Sequence, residues 1–414
     1  MPEQFDMIIR NARVISNSSD VVDIAILRDQ IVKIEPRLDG VGQFELDAYG
    51  CLVSETFANP HLHLCKVFTL SKLDEAALKD YHAADMGKAM TAIEIAARVK
   101  EDYDQSWIIL NARRAVALAA FYGCTHIRAF ADVDNKARLE GVKALLQARE
   151  EFKGIVSLQV VAFAQDGIVR EPGAAELMQQ AMELGADVVG GIPWIEYTEA
   201  DSAEHIRFCF DLAVKYNKPV SMLVDDAGDP GLRTLEQMAV ETLRRGWQGR
   251  SLAHHARAME MYPKPYVQKM AGLLKKADMG LVTDPHTGPL HLRVREMLEE
   301  NVLVCLGQDD VSDAYYPYGR NNMLEVAFLA SHLLWMTTRE DMQMLYKMVT
   351  SQARKAMGVE ALGVQPGAKA DLVILDQPDI LEAFRFHDAP RHVIRNGKII
   401  NLQKMRDISA SGSW

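Results

Sequence analysis

The pattern that most restricts this chain is an alternation of short apolar strand, polar break and amphipathic helix, repeated about eight times between residues 56 and 361. The strands read as Ala58 to Leu64, Thr125 to Ala131, Ser157 to Phe163, Val188 to Ile192, Val220 to Val224, Ser251 to His255, Gly280 to Thr283 and Val302 to Leu306. Apolar residues at helical spacing mark helices over Gln105 to Tyr122, Lys136 to Phe152, Ala174 to Leu184 and Ala203 to Tyr216. Parallel strands need long crossovers, and a helix in each crossover covers the sheet, so the pattern predicts a parallel α/β architecture. Eight units in about 300 residues fit a closed (β/α)8 TIM-like barrel better than an open sheet. No GxGxxG follows an early strand, as a dinucleotide-binding sheet would require.

The two ends carry strands without helices: Met7 to Ile9, Val22 to Leu27 and Ile31 to Ile34 at one end, Asp371 to Leu375 and His392 to Ile400 at the other. Termini tend to lie close together on a domain surface, so residues 1–55 and 362–408 are expected to form one small β-sandwich flanking a barrel of residues 56–361. The Ser- and Gly-rich tail 409–414 reads as disordered. Lys plus Arg (46) against Asp plus Glu (57) gives a net charge of −11, which argues against nucleic acid or an anionic membrane as partner. The N-terminus lacks a signal-peptide pattern, no apolar run reaches the roughly 18 residues of a membrane span, and the five cysteines form no CxxC pair. A cytoplasmic protein acting on a small molecule is expected. The Met-rich stretch Met336 to Met348 is compatible with a homo-oligomer, although such methionines more often fill a core.

A barrel carries its chemistry at the C-terminal ends of its strands. His61 and His63 close the first strand, and residues two apart share a face, so both imidazoles can reach one metal ion. Two hydrogen-bonded barrel histidines would read the same way. Asp309 and Asp310 end the eighth strand, where one carboxylate can bind metal and accept a proton while the other orients a ligand; Asp310 would also suit a helix N-cap. His254 and His255 end the sixth strand and, as neighbours, are expected to face opposite ways, with His255 taken as the inward one. Asp225 and Asp226 follow the fifth strand, and Asp226 could carry a proton to a leaving amine or simply form a turn before Gly228. The Gln165 amide could offer a donor and an acceptor to a ring bearing carbonyl and NH groups, or be an ordinary surface glutamine.

Asp6-Met-Ile-Ile-Arg-Asn-Ala12, Asn59-Pro-His-Leu-His63, Val160-Val-Ala-Phe-Ala-Gln165, Asp309-Asp-Val311 with Tyr316-Pro-Tyr-Gly319, and Pro366-Gly-Ala-Lys-Ala-Asp-Leu-Val373 span nearly the whole chain. Together they resemble the amidohydrolase superfamily in its cytosine deaminase branch, with its s-triazine members. The resemblance implies a (β/α)8 barrel with a β-sandwich, one divalent metal (zinc or iron), and hydrolytic C–N cleavage on a nitrogen heterocycle. It places His61 and His63 on the strand-one ligands, Asp309 on the strand-eight ligand and base, His255 beside the attacking water, and Gln165 on the ring. The family's strand-five His-Val-Asp-Glu is here Leu223-Val-Asp225-Asp226, so the expected ligand is a leucine and the shuttle glutamate is shortened to Asp226. Strand two carries Phe130 where relatives often have a histidine, and Cys65 and Lys66 follow His63 closely. Three outcomes are compatible with these changes. His255 moves into the vacant ligand place beside His61, His63 and Asp309; or Leu223, Phe130 and Cys65 line a more apolar pocket for a changed substrate, such as a different cyclic amide; or the barrel binds a small heterocycle without metal and without deaminating it.

Overall fold

The computed structural model describes residues 3–15, 17–72 and 89–413. Strands β1 (Glu3–Val14), β2 (Asn17–Leu27), β3 (Gln30–Glu35) and β4 (Gly40–Asp47) form a sheet in the order β3-β2-β1-β4. β1 and β2 pair antiparallel, as do β2 and β3, while β1 and β4 run parallel. β5 (Val53–Glu55) leaves this sheet for one completed at the other end of the chain.

The barrel follows as β6 (Phe57–Leu62), β7 (Cys124–Asp132), β8 (Ser157–Phe163), β9 (Val188–Gly191), β10 (Val220–Val224), β11 (Ser251–His255), β12 (Gly280–Thr283) and β13 (Val304–Leu306). These strands pair in parallel in sequence order. The circle closes where Leu62 meets Asp309: the Asp309 N–H donates to the His61 carbonyl at 2.9 Å and the His63 N–H to the Asp309 carbonyl at 2.8 Å. Gly307 permits this approach, since a Cβ there would stand 2.7 Å from that of His61. The residues that close the barrel are therefore those read above as chemical.

β14 (Leu372–Ile374), β15 (His392–Arg395) and β16 (Lys398–Ile399) complete the second sheet, in the order β16-β15-β14-β5. Period-two alternation in β1 sends Met7 and Ile9 toward Leu372, Ile374 and Ile394 of this sheet, while Ile8 packs on the opposite face with Ala25 and Leu38. Residues from both ends of the chain thus share one core, as the sandwich reading requires.

The expected disordered tail is corrected. Ser409–Ser411 end the helix Leu402–Ser411, while Trp414 lies outside the described residues. Asn401 caps the start by accepting from the Lys404 N–H, and Gly412 ends the helix in the left-handed region. Met405 and Ile408, one turn apart, are buried, and the Arg114 Nε donates to the Ser409 carbonyl at 3.4 Å. Reading Ser and Gly content alone missed this apolar stripe. Met336 and Met348 are buried, so the methionine-rich stretch contributes to the core.

A buried latch fixes two loops above the barrel. His205 Nδ1 lies 2.7 Å from a Glu196 oxygen and its Nε2 accepts the Ile192 N–H at 3.2 Å, so the proton belongs on Nδ1. Glu196 also accepts from the N–H groups of Ile168 and Arg170. Burial pushes the Glu196 carboxyl up, but His205 and these N–H groups outweigh it and hold it below the usual glutamate range. A depressed carboxylate contributes stability above its unfolded pKa of about 4.3 and loses it as pH falls through the folded value. Glu196→Gln is expected to cost about 1–3 kcal/mol at pH 7. Urea midpoints should show this deficit shrinking as pH drops below about 4; a deficit independent of pH would remove the charge from the explanation.

Candidate active site

Two residues that end strands here have left-handed backbones, Asp309 at φ 65° and His255 at φ 66°. Non-glycine residues in this region are held there by their surroundings and re-aim their side chains. The consequence corrects the expectation for the histidine pair. His254 points inward with the strand and His255 is turned inward by its φ, so their rings lie 4.5 Å and 4.9 Å from that of His61.

Asp309 Oδ1 is the meeting point. His61 Nε2 lies 2.9 Å away, His63 Nε2 3.7 Å and His255 Nε2 4.0 Å. Asp309 Oδ2 accepts from the Thr287 hydroxyl at 2.9 Å. All four residues are at most 5% exposed. Asp310 stands beside the same cluster, with a carboxylate oxygen within 4.8 Å of donor atoms of His63 and Asp309; its Oδ1 has no hydrogen-bond partner among the described residues, and burial together with Asp309 and Asp313 pushes its carboxyl well above the usual range. Asp226 is held by the Arg257 guanidinium at 2.6 Å, leaving its other oxygen 3.8 Å from His255 Nε2. Gln165 accepts from Lys66 Nζ at 3.0 Å, which directs its NH2 group away from the lysine. Leu223 and Phe130 belong to an apolar wall with Val161, Phe163 and Ile192, and the Phe130 ring lies 4.5 Å from that of His61.

Sequence reading missed three participants. Asp284 accepts from His255 Nδ1 at 2.9 Å, Arg257 joins Asp226, Asp284 and Asp309 within 3.7 Å, and Lys66 orients Gln165. Asp284 directly follows β12 and Arg257 stands two residues after β11, so the rule that picked out Asp309 would have found them. Their partners lie about thirty residues away, and no local pattern names a partner.

The donors suit a divalent cation. Donors of a tetrahedral site with bonds of about 2.1 Å stand about 3.4 Å apart, and the spacings to Asp309 Oδ1 bracket that value. Asp226, Asp284 and Asp309 surround one guanidinium, an excess of negative charge that a divalent ion balances. With that excess, burial lowers the His255 imidazole but the carboxylates of Asp226 and Asp284 overcome it, and the ring is pushed up to about 9. Burial likewise works against the Asp309 charge, yet His255 and His61 hold that carboxyl well below its usual range. The Nδ1 atoms of His61 and His63 are buried without partners among the described residues.

The amidohydrolase family matches residues 45–401. The chain belongs to it. This amidohydrolase is 30% identical over 404 residues to the N-isopropylammelide isopropyl amidohydrolase of Pseudomonas sp. (strain ADP), covering 97% of this chain and 98% of that protein. The 5-methylcytosine deaminase of Klebsiella pneumoniae, solved with 5-fluorocytosine, superposes with a TM-score of 0.86 at 29% identity, over 95% of this chain and 97% of the other. The N-isopropylammelide isopropylaminohydrolase of Burkholderia multivorans shares the fold, with a TM-score of 0.81 at 24% identity over 95% and 97% of the two chains. No helix among the described residues is long and apolar enough to cross a membrane.

Within this amidohydrolase Asp284 accepts from His255 Nδ1 and so sets the orientation of the ring, which makes it a candidate positioning residue. Asp284→Asn is expected to lower kcat by about 10 to 100-fold with little change in KM. Steady-state kinetics on a folded variant check this, and an unchanged kcat would show that His255 needs no such partner.

Proposed function

We propose that this amidohydrolase cleaves an exocyclic C–N bond of a small nitrogen heterocycle of pyrimidine or s-triazine type, releasing ammonia or an amine. The observation that carries this reading is the convergence of His61, His63 and His255 on one Asp309 oxygen, in a buried cluster with excess negative charge. In this reading His61, His63 and Asp309 hold one divalent ion, zinc or iron, and an imidazole from β11 takes the place that Leu223 leaves. The ion would lower the pKa of its water toward neutrality. Asp309, anchored by Thr287, accepts the proton of the attacking water. His255, its Nδ1 set on Asp284, turns Nε2 toward the site, where as an imidazolium it donates to the oxygen developing charge at the attacked ring carbon. Asp226, steadied by Arg257, passes the proton taken up by Asp309 on to the leaving nitrogen through its second oxygen. Gln165 offers its NH2 group to a ring carbonyl, and Asp310, in its neutral form, offers an O–H donor. Leu223 and Phe130 line the apolar side of the bound ring.

The similarity to an isopropylammelide hydrolase and to a 5-methylcytosine deaminase supports the substrate class. Protein loaded with zinc or iron is to be screened with cytosine, isocytosine, ammelide, N-alkylammelides, creatinine and pterins for release of ammonia or amine. Turnover of a pyrimidine or triazine is expected. Tight binding without turnover across the set would instead favour a barrel that binds heterocycles, the reading that Leu223 motivates.

A further inference from the structure

Leu223 and His254 are register partners on adjacent strands β10 and β11, so their side chains stand side by side at one level inside the barrel. Leu223 occupies a position where the family pattern has a metal-binding histidine. His254 is fully buried, and neither of its ring nitrogens has a hydrogen-bond partner among the described residues. Leaving polar atoms unmet at such a depth is costly, and an apolar side chain of similar size would remove that cost. The ring is packed 4.5 Å from that of His61 and 5.1 Å from that of Phe130, beside the donor cluster.

We propose that His254 supplies the metal ligand that Leu223 cannot, the imidazole having moved one strand around the barrel. The assignment rests on reading the site as metal-dependent. His254 packs on the flank of His61, outside the tight group of His61, His255, Asp284 and Asp309, so loading the ion requires its side chain to rotate toward Asp309. It also resolves a conflict at His255, whose Nε2 cannot both bind metal and donate to the substrate. Asp284 holds His255 Nδ1, and Asp226 lies 3.8 Å from its Nε2, a setting for proton traffic. With His254 on the ion, His255 is left to that task.

The test is metal affinity of the full chain, measured by equilibration against buffered zinc with metal content by mass spectrometry, and coordination read from the visible spectrum of the cobalt(II)-loaded protein. His254→Leu is expected to lower zinc affinity by about 100-fold or more, at or beyond the upper end of what loss of an outer-shell partner costs, and to change the cobalt spectrum. His255→Asn should keep affinity within about tenfold. Returning the imidazole to strand five in Leu223→His/His254→Leu should recover most of the loss. Wild-type affinity and spectrum in His254→Leu would overturn the assignment. Should that variant not fold, His255→Asn decides alone, because loss of metal there gives the ligand to His255. A wild-type chain that takes up no metal fails the metal-dependent reading itself, and this assignment with it.

Discussion

Asp309→Asn is expected to lower turnover by about 10³ to 10⁴-fold, at the upper end of what general-base catalysis contributes, because the substitution removes the proton acceptor and one charge from the proposed metal site. The variant isolates chemistry from folding for a stated reason. Asp309 closes the barrel through backbone hydrogen bonds to His61 and His63, which asparagine retains, and its left-handed φ is one that asparagine also accepts. The Thr287 hydroxyl can still donate to the amide oxygen. Thermal unfolding near that of the parent, with turnover gone and metal content reported beside it, is the expected outcome. Retained turnover in a folded variant would sink the mechanism, since among the described residues Asp309 is the carboxylate hydrogen-bonded to His61.

Removal of metal has the second large effect. Dialysis against a chelator is expected to abolish turnover, and adding zinc or iron back to restore it. Stability should follow the same course. A ligand that binds only the folded state stabilises it by about 2.7 kcal/mol when its free concentration is 100 times its Kd, so denaturant midpoints should rise with added zinc. The electrostatics supply the direction: the carboxylates of Asp226, Asp284 and Asp309 repel one another around one guanidinium, and a divalent ion relieves that repulsion. Undiminished turnover in protein shown to be metal-free would end the metal-dependent reading.

Several members of the buried His/Asp cluster stand at strand ends that the sequence marks. His61 and His63 share a face by the period of a strand, and Asp309 follows an apolar run read as the eighth barrel strand. Other parts were beyond such reading. The expectation that His254 and His255 diverge followed from strict alternation, and a single left-handed φ at His255 defeated it. Asp284, Arg257 and Lys66 act on residues 29, 31 and 99 positions away, so their roles exist only once the strands are side by side. At Leu223 the sequence revealed a loss, and the register of β10 on β11 revealed the imidazole beside it.

By itself the sequence determined the barrel, the sandwich made from both termini, and the positions where chemistry could sit, because hydrophobic periodicity and strand ends are properties of neighbouring residues. Only the tertiary structure decided which side chains meet. Closing eight strands into a circle brings Leu62 against Asp309 and sets His254 beside Leu223, and such contacts depend on register and backbone φ, which no run of adjacent residues encodes.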